Sequence, residues 1–266
     1  MSSVPFHSRR ARWGALVIVL CLCGPMVALL AQPAAAAPTC TTDCYVDVVN
    51  GNDANSGTAP GAGNALQTIQ AAVNQVNAGG NIHVADGTYP ETVAVNKSVT
   101  ITGNGIANTI VDPAAGNAFN ITAGNVTIED LQITGAAQGA RLSGAISNII
   151  FDNVHFLNNT SRGIEIQNGA ALLISNVQVL NSLFDNNGTG MRMSSTTTVD
   201  GITIDNTTFQ NHTGSGFNQA NDGNTGWVKN LTVTNSTFTN NGTSSGNAGI
   251  YAEEFSNVLI EDSTFT

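Results

Sequence analysis

From Asn125 onward the apolar positions of the chain fall on one template. It recurs in NVTIEDLQI (from Asn125), NIIFDNVHF (Asn148), NVQVLNSLF (Asn176), GITIDNTTF (Gly201), NLTVTNSTF (Asn230) and NVLIEDSTF (Asn257). Counting the opening residue as zero, positions one and three are apolar, position five is Asn or Asp, and position eight is Ile or Phe. The openings are spaced by 23, 28, 25, 29 and 27 residues, so insertions fall outside this nine-residue core. Alternation of period two predicts two short strands, joined by a tight corner at the Asn. One such unit cannot bury its apolar face alone, whereas a stack of coils can, each pairing with the next at ~4.8 Å. Equivalent side chains then lie over one another. Phe156, Phe184, Phe209, Phe238 and Phe265 are expected to form an aromatic file in the core. Asp130, Asn153, Asn181, Asn206, Asn235 and Asp262 are expected to form an amide ladder. A leucine-rich repeat would need an L-x-x-L-x-L frame that is absent.

A third strand closes each coil. After a polar turn comes Gly and a short alternating piece: GARL (139–142), GIEI (163–166), GMRM (190–193), GFNQ (216–219) and GIYA (249–252). AFNI (118–121) and NIHV (81–84) read as earlier members, with an insertion around 104–118. Upstream, Leu66, Ile69, Val73 and Val76 are spaced by 3, 4 and 3, the stripe of a short helix. Asn64 or Thr68 would cap its start and Gly79-Gly80 would end it. The expected fold is all-β: a right-handed, single-stranded parallel β-helix with three strands per coil and a short N-terminal capping helix. Residues 38–64 form a cap segment and 65–266 the β-helix. The chain stops just after Phe265, so further coils or a partner are expected to cover that end.

The stretches CYVDVVNGNDANSGT, ALQTIQAAVNQV and GGNIHVADGTYPETVAVNKSVTITGNG resemble the N-terminal cap and first coil of secreted right-handed β-helix proteins with the pectin-lyase-like fold, and the resemblance covers residues 45–266. That family holds polysaccharide lyases, glycosidases, epimerases, esterases, adhesins and proteins without activity, so it implies a fold rather than a reaction. Its enzymes use the outward face of the first strand. GTYPE (87–91) matches the opening of pectin methylesterases, but the paired Asp motifs of those enzymes do not follow. The NTD, DD, GHG and RIK set of polygalacturonases is absent too.

The first residues read as an export signal, 1–37: a basic start (Arg9, Arg10, Arg12), the apolar run ALVIVLCLCGPMVALLA and an Ala-rich cleavage region. The alternative is a retained membrane anchor. Beyond it, five basic residues (Lys97, Arg141, Arg162, Arg192, Lys229) face eighteen acidic ones, a net of −13. Such charge argues against nucleic acid and anionic membranes as partners. Cys40 and Cys44 could close a small disulfide, stay as free thiols or meet an outside metal partner. The expected setting is secreted, periplasmic or cell-surface.

Candidate chemistry sits on the column equivalent to that first-strand face, the second residue after each Gly or its counterpart: His83, Asn120, Arg141, Glu165, Arg192, Asn218 and Tyr251. Turn length varies on both flanks of this column, while the Asn corner is constant, which marks a groove. Arg141, Glu165 and Arg192 are the candidate catalytic set. The arginines would clamp a uronate or sulfate and Glu165 would act as acid or base. The competing reading is a plain cross-strand charge ladder. Arg162, Asn218, Trp227 and Tyr251 are candidate substrate contacts, although a lone loop Trp can instead fold onto its own coil. Asp222, Glu253 and Glu254 could bind Ca2+ or form a solvated acidic loop. GNDANSG near Gly51 has the flavour of a calcium loop, but Asx residues also form turns. The expected role is display of a face that binds an extracellular polysaccharide or cell-surface glycan. The alternatives are a polysaccharide lyase or glycosidase acting in the groove, and a structural adhesin stalk.

Overall fold

The computed structural model describes residues 39–167, 173–194, 196–219, 227–242 and 247–266. The segment read as an export signal lies outside them, and among the described residues no helix is long and apolar enough to cross a membrane. Among the described residues two parallel sheets carry the chain. The smaller has seven strands, in chain order Val93–Val95, Asn117–Ile121, Gln138–Leu142, Arg162–Ile166, Thr189–Met193, Phe217–Gln219 and Ile250–Ala252. The larger has fifteen strands and bends around the position-five corner. In early coils one strand runs through that corner (Val126–Thr134, Ser147–Leu157); later the corner splits it, as in Thr198–Asp205 and Thr208–Gln210. Each coil therefore contributes three stretches of strand, and consecutive coils pair in parallel.

The corner exists because these residues adopt the left-handed conformation. Asp130, Asn153, Asn181, Asn206, Asn235 and Asp262 have φ between 48° and 57°. Asn and Asp visit this region more readily than other non-Gly residues. The same conformation recurs at position zero (Asn125, Asn148, Asn176, Asn230, Asn257, and Gly201 at 88°) and at position ten (Asn158, Asn186, Asn211, Asn240, and Gly135 at 68°). From Asn125 to Asn240 the coils thus turn at three left-handed residues spaced five apart, of which the sequence pattern revealed one as a corner. The amides do form ladders: Asn206 Nδ2 donates to Asn181 Oδ1 (2.9 Å), Asn148 to Asn125 (2.8 Å) and Asn186 to Asn158 (2.8 Å). Where an Asp lies beside the column it takes the bond instead, as Asp152 does from Asn181 (2.7 Å) and Asp205 from Asn235 (2.9 Å).

The aromatic file is continuous. Ring centroids of Phe156, Phe184, Phe209, Phe238 and Phe265 are separated by 4.5, 4.4, 4.8 and 4.9 Å, with planes within 13° of parallel. In the last coil Phe265 is 45% exposed, as are Val258 and Ile260, whose equivalents upstream are buried. The glycines that open the small-sheet strands lie against this file. A methyl at Gly163 would fall 2.5 Å from Phe184 Cδ1, and one at Gly190 would fall 2.6 Å from Phe209 Cδ1.

Beside the Phe file runs a buried polar ladder at position eleven. Asn159 Oδ1 accepts from Ala136 N (3.1 Å), Asn187 Oδ1 from Asn159 N (3.0 Å), and His212 Nδ1 from Asn187 N (3.1 Å). His212 thus stands in an asparagine's place, fully buried. Burial lowers its pKa to about 4. Because Nδ1 accepts a bond, the neutral ring carries its proton on Nε2.

Helix α1 (Ile69–Gln75) buries Ile69, Ala72 and Val73 over the first coil. Thr68 Oγ1 caps it by accepting from Ala71 N (3.1 Å). The Glu91 carboxylate accepts from Ile69 N (2.7 Å) and Gln70 N (2.9 Å). The GTYPE stretch is therefore architectural: its Glu91 satisfies the orphan N–H groups of the capping helix. The helix ends at Gln75 with Val76 as its C-cap, earlier than the Gly pair, and Lys97 Nζ donates to the Val76 carbonyl (2.9 Å). Asp53 in GNDANSG accepts from Gln67 N and Thr68 N, and Asp47 accepts from Val49 N and Asn50 N. These contacts fix turns. Cys40 and Cys44 form a disulfide.

Three sequence expectations shift. Asp43–Val46 already pairs with Asn81–Val84, so the sheet starts inside the segment read as a cap. His83 belongs to the large sheet, and Ala94 takes its place in the small-sheet column. The pattern misled because that first small-sheet strand, VAV, is three residues long and has no leading Gly. Finally, 104–118 is not all insertion: Thr109–Val111 pairs with Gly87–Tyr89 and completes a coil.

Candidate functional site

The small sheet presents one outward column across seven coils: Ala94, Asn120, Arg141, Glu165, Arg192, Asn218 and Tyr251, each in register with the next. Arg141, Glu165 and Arg192 therefore lie on adjacent strands, at ~4.8 Å per step. Arg162 joins them from Glu165's own strand. In a regular strand, residues three apart point to opposite faces. Here the opening Gly and the next residue both turn inward, as the burial of Gly163 and Ile164 shows, so Arg162 and Glu165 share the outer face.

This geometry decides the charge pairing. Arg162 Nε lies 2.6 Å from Glu165 Oε2. Arg141 and Arg192 stand in register on either side of Glu165 but make no ion pair within 4.0 Å among the described residues. Glu165 is 4% exposed. Burial pushes its carboxyl above the usual range, against the pull of Arg162, Arg192 and Arg141. Burial likewise lowers Arg162, against Glu165's attraction. Arg141 is half-buried, and its enclosed Nε has no hydrogen-bond partner among the described residues. The result is a cluster of three guanidinium groups around one carboxyl on an acidic chain. Two of the three carry uncommitted planar donor forks, suited to a carboxylate or sulfate.

The other expected contacts lie further along the same face or beside it. Asn218 and Tyr251 continue the column, and the Tyr251 hydroxyl donates to Glu253 Oε1 (2.8 Å). Trp227 is 46% exposed and immediately precedes the large-sheet strand Val228–Thr234. Glu254 is half-buried, and its backbone N–H, like that of Glu253, donates to Gln219 Oε1. Asp222 lies outside the described residues. Among those described, no group of three or more His, Cys, Asp or Glu side chains comes together as a metal site.

These features define a single-chain parallel β-helix with a basic patch at mid-length on its small sheet. The chain belongs to the right-handed β-helix family, whose model matches residues 72–230. No curated protein matches its sequence. Among solved structures it is similar in fold to pectate lyase Pel9A (22% identity, TM-score 0.56, covering 82% of this chain and 59% of that one). It is also similar to ORF18 of Geobacillus virus E2 (15%, 0.51, 84% and 47%) and to a rhamnogalacturonan lyase (14%, 0.50, 74% and 68%). The chain thus spans less than two thirds of the length of the first two.

Proposed function

We propose that the chain is an exported β-helix domain whose small sheet binds an acidic polysaccharide. The supporting observation is the pair Arg141 and Arg192, half-buried and with no ion pair within 4.0 Å among the described residues, on either side of a carboxyl that Arg162 contacts directly. Half-buried cations without partners are costly unless a ligand supplies the anion. A uronate or sulfate polymer lying along the column would do so, and Asn218, Tyr251 and Trp227 would extend contact toward later coils. A polysaccharide partner also agrees with the names of the pectate and rhamnogalacturonan lyases that share the fold.

A second reading, cleavage in the same groove, draws on Glu165. A buried carboxyl with a raised pKa beside arginines is a form that general acids take. The two readings separate on a panel of uronate and sulfated glycans. Binding without products marks a recognition domain, and release of unsaturated or reducing ends marks an enzyme. In either case Arg141→Ala with Arg192→Ala should weaken uronate binding by roughly a hundredfold, two lost charge-assisted contacts at ~1.5 kcal/mol each. Unchanged binding in the double variant sinks the groove assignment. No response to any acidic glycan would leave the stalk reading.

A further inference from the structure

We propose that a second ligand site lies near the N-terminal end, on the outer face of the large sheet, and that it takes an uncharged sugar unit. A cleft of about 420 Å³ opens there, lined by Tyr45, Asp47, Pro60, His83, Thr102 and Asn104 among others. That volume falls within the ~300–1,000 Å³ of small-molecule sites. One side is a column across three coils, with Tyr45 in register with His83 and His83 with Thr102. The turn holding Pro60 and the loop holding Asn104 stand beside it.

The surroundings hold these side chains in place before any ligand arrives. The Tyr45 and His83 rings stack at 4.9 Å and 23°. His83 Nε2 sits 3.2 Å from Asp43 Oδ1, which also accepts from Asn81 Nδ2 (3.1 Å). Asn104 Nδ2 donates to Asp86 Oδ1 (2.6 Å), and Thr102 Oγ1 donates to Glu129 Oε1 (2.7 Å). Asp47 is fixed by two backbone N–H groups. A site held this way loses little entropy when it closes on a ligand.

The lining chemistry selects the ligand. It offers a phenol, an imidazole, a hydroxyl, an amide and a carboxylate, set among apolar wall atoms. Neither Lys nor Arg lines it. Asp43, Asp86 and Glu129 border it through the hydrogen bonds just given, so the local field is negative and repels uronates and sulfates. A ligand that is polar, rich in hydroxyls and without negative charge fits: one or two units of a neutral sugar, with ring C–H groups against aromatic edges and hydroxyls on the polar groups. The ligand preference is opposite to that of the arginine patch, and the two sites share no residue.

The test is calorimetric titration of the full chain with neutral oligosaccharides (xylo-, gluco- and galacto-oligomers), alongside a uronate oligomer as comparison. Neutral oligomers should bind. Tyr45→Ala and Asn104→Ala should each weaken that binding by roughly tenfold while leaving melting temperature and uronate binding as in the parent. Asn104 is exposed, so that variant keeps the proposal testable if Tyr45→Ala unfolds. Three results would overturn it: no neutral oligomer binds, both variants bind as the parent does, or NMR titration shows that the neutral oligomer moves the signals of Arg141 and Arg192 instead of those of Tyr45 and His83.

Discussion

At the scale of single residues, one position in the buried ladder sets a pH response. His212 occupies a place filled by Asn in neighbouring coils, and its folded pKa is lowered to about 4 from 6.5, chiefly by burial. The unfolded chain takes up a proton at this side chain below pH ~6.5 that the folded chain refuses until pH ~4. Its contribution is therefore intact above the higher pH and lost as pH falls between the two. Over that window the linkage amounts to something on the order of 3 kcal/mol. His212→Asn keeps a ladder member without a titrating group. Urea denaturation at pH 7 and pH 4.5 should show a drop for the parent that is larger by about 2–3 kcal/mol than for the variant. Equal drops would mean that His212 is solvated or charged in the folded state.

At the scale of strands, the glycine at the start of the small-sheet strands from Gln138–Leu142 onward and the phenylalanine of the next coil act as a pair. A side chain at Gly163 would meet both Phe184 Cδ1 at 2.5 Å and the Gly190 carbonyl at 2.6 Å. Neither can retreat, because the ring is stacked on both sides and the carbonyl belongs to a paired strand. Gly163→Ala should cost ~1–3 kcal/mol, the range for overpacking a core, read from the denaturation midpoint. A change under ~0.5 kcal/mol would show that the file tilts to make room. The Phe file was legible in the sequence because its offset from the opening residue never varies. The corners at Asn158, Asn186, Asn211 and Asn240 were not, because they fall past the nine-residue pattern in turns where Asn already needs no explanation. The register of Arg141, Glu165 and Arg192 was legible for the same reason as the file. The turn of Arg162 toward Glu165 was not, because period-two reasoning puts residues three apart on opposite faces, and the double inward step at Gly163–Ile164 breaks that rule. The cleft around Tyr45 and His83 was hidden by assigning His83 to the wrong sheet.

At the scale of the whole molecule, charge is distributed against the proposed ligand. Thirteen more acidic than basic residues follow position 37, with a basic patch on one face. A polyuronate approaching from a distance meets repulsion, and only close to the small sheet does it meet Arg141, Arg162 and Arg192. Salt shortens the reach of the first effect to ~10 Å at 0.1 M and acts less on half-buried groups. The association rate with a polyuronate should therefore rise between about 10 and 100 mM salt, as measured by stopped-flow fluorescence. A rate that falls with salt would mean that a positive surface beyond this patch guides encounter. The left-handed corners at offsets zero, five and ten carry a broader consequence. Since the coils from Asn125 onward bend at the same places and differ in what bulges beyond them, these rungs are exchangeable parts. Adding one displaces everything above by a single rise while every coil keeps its own cross-section. Along such a scaffold, the separation between any two ligand-gripping groups comes in whole steps, like the notches of a ruler.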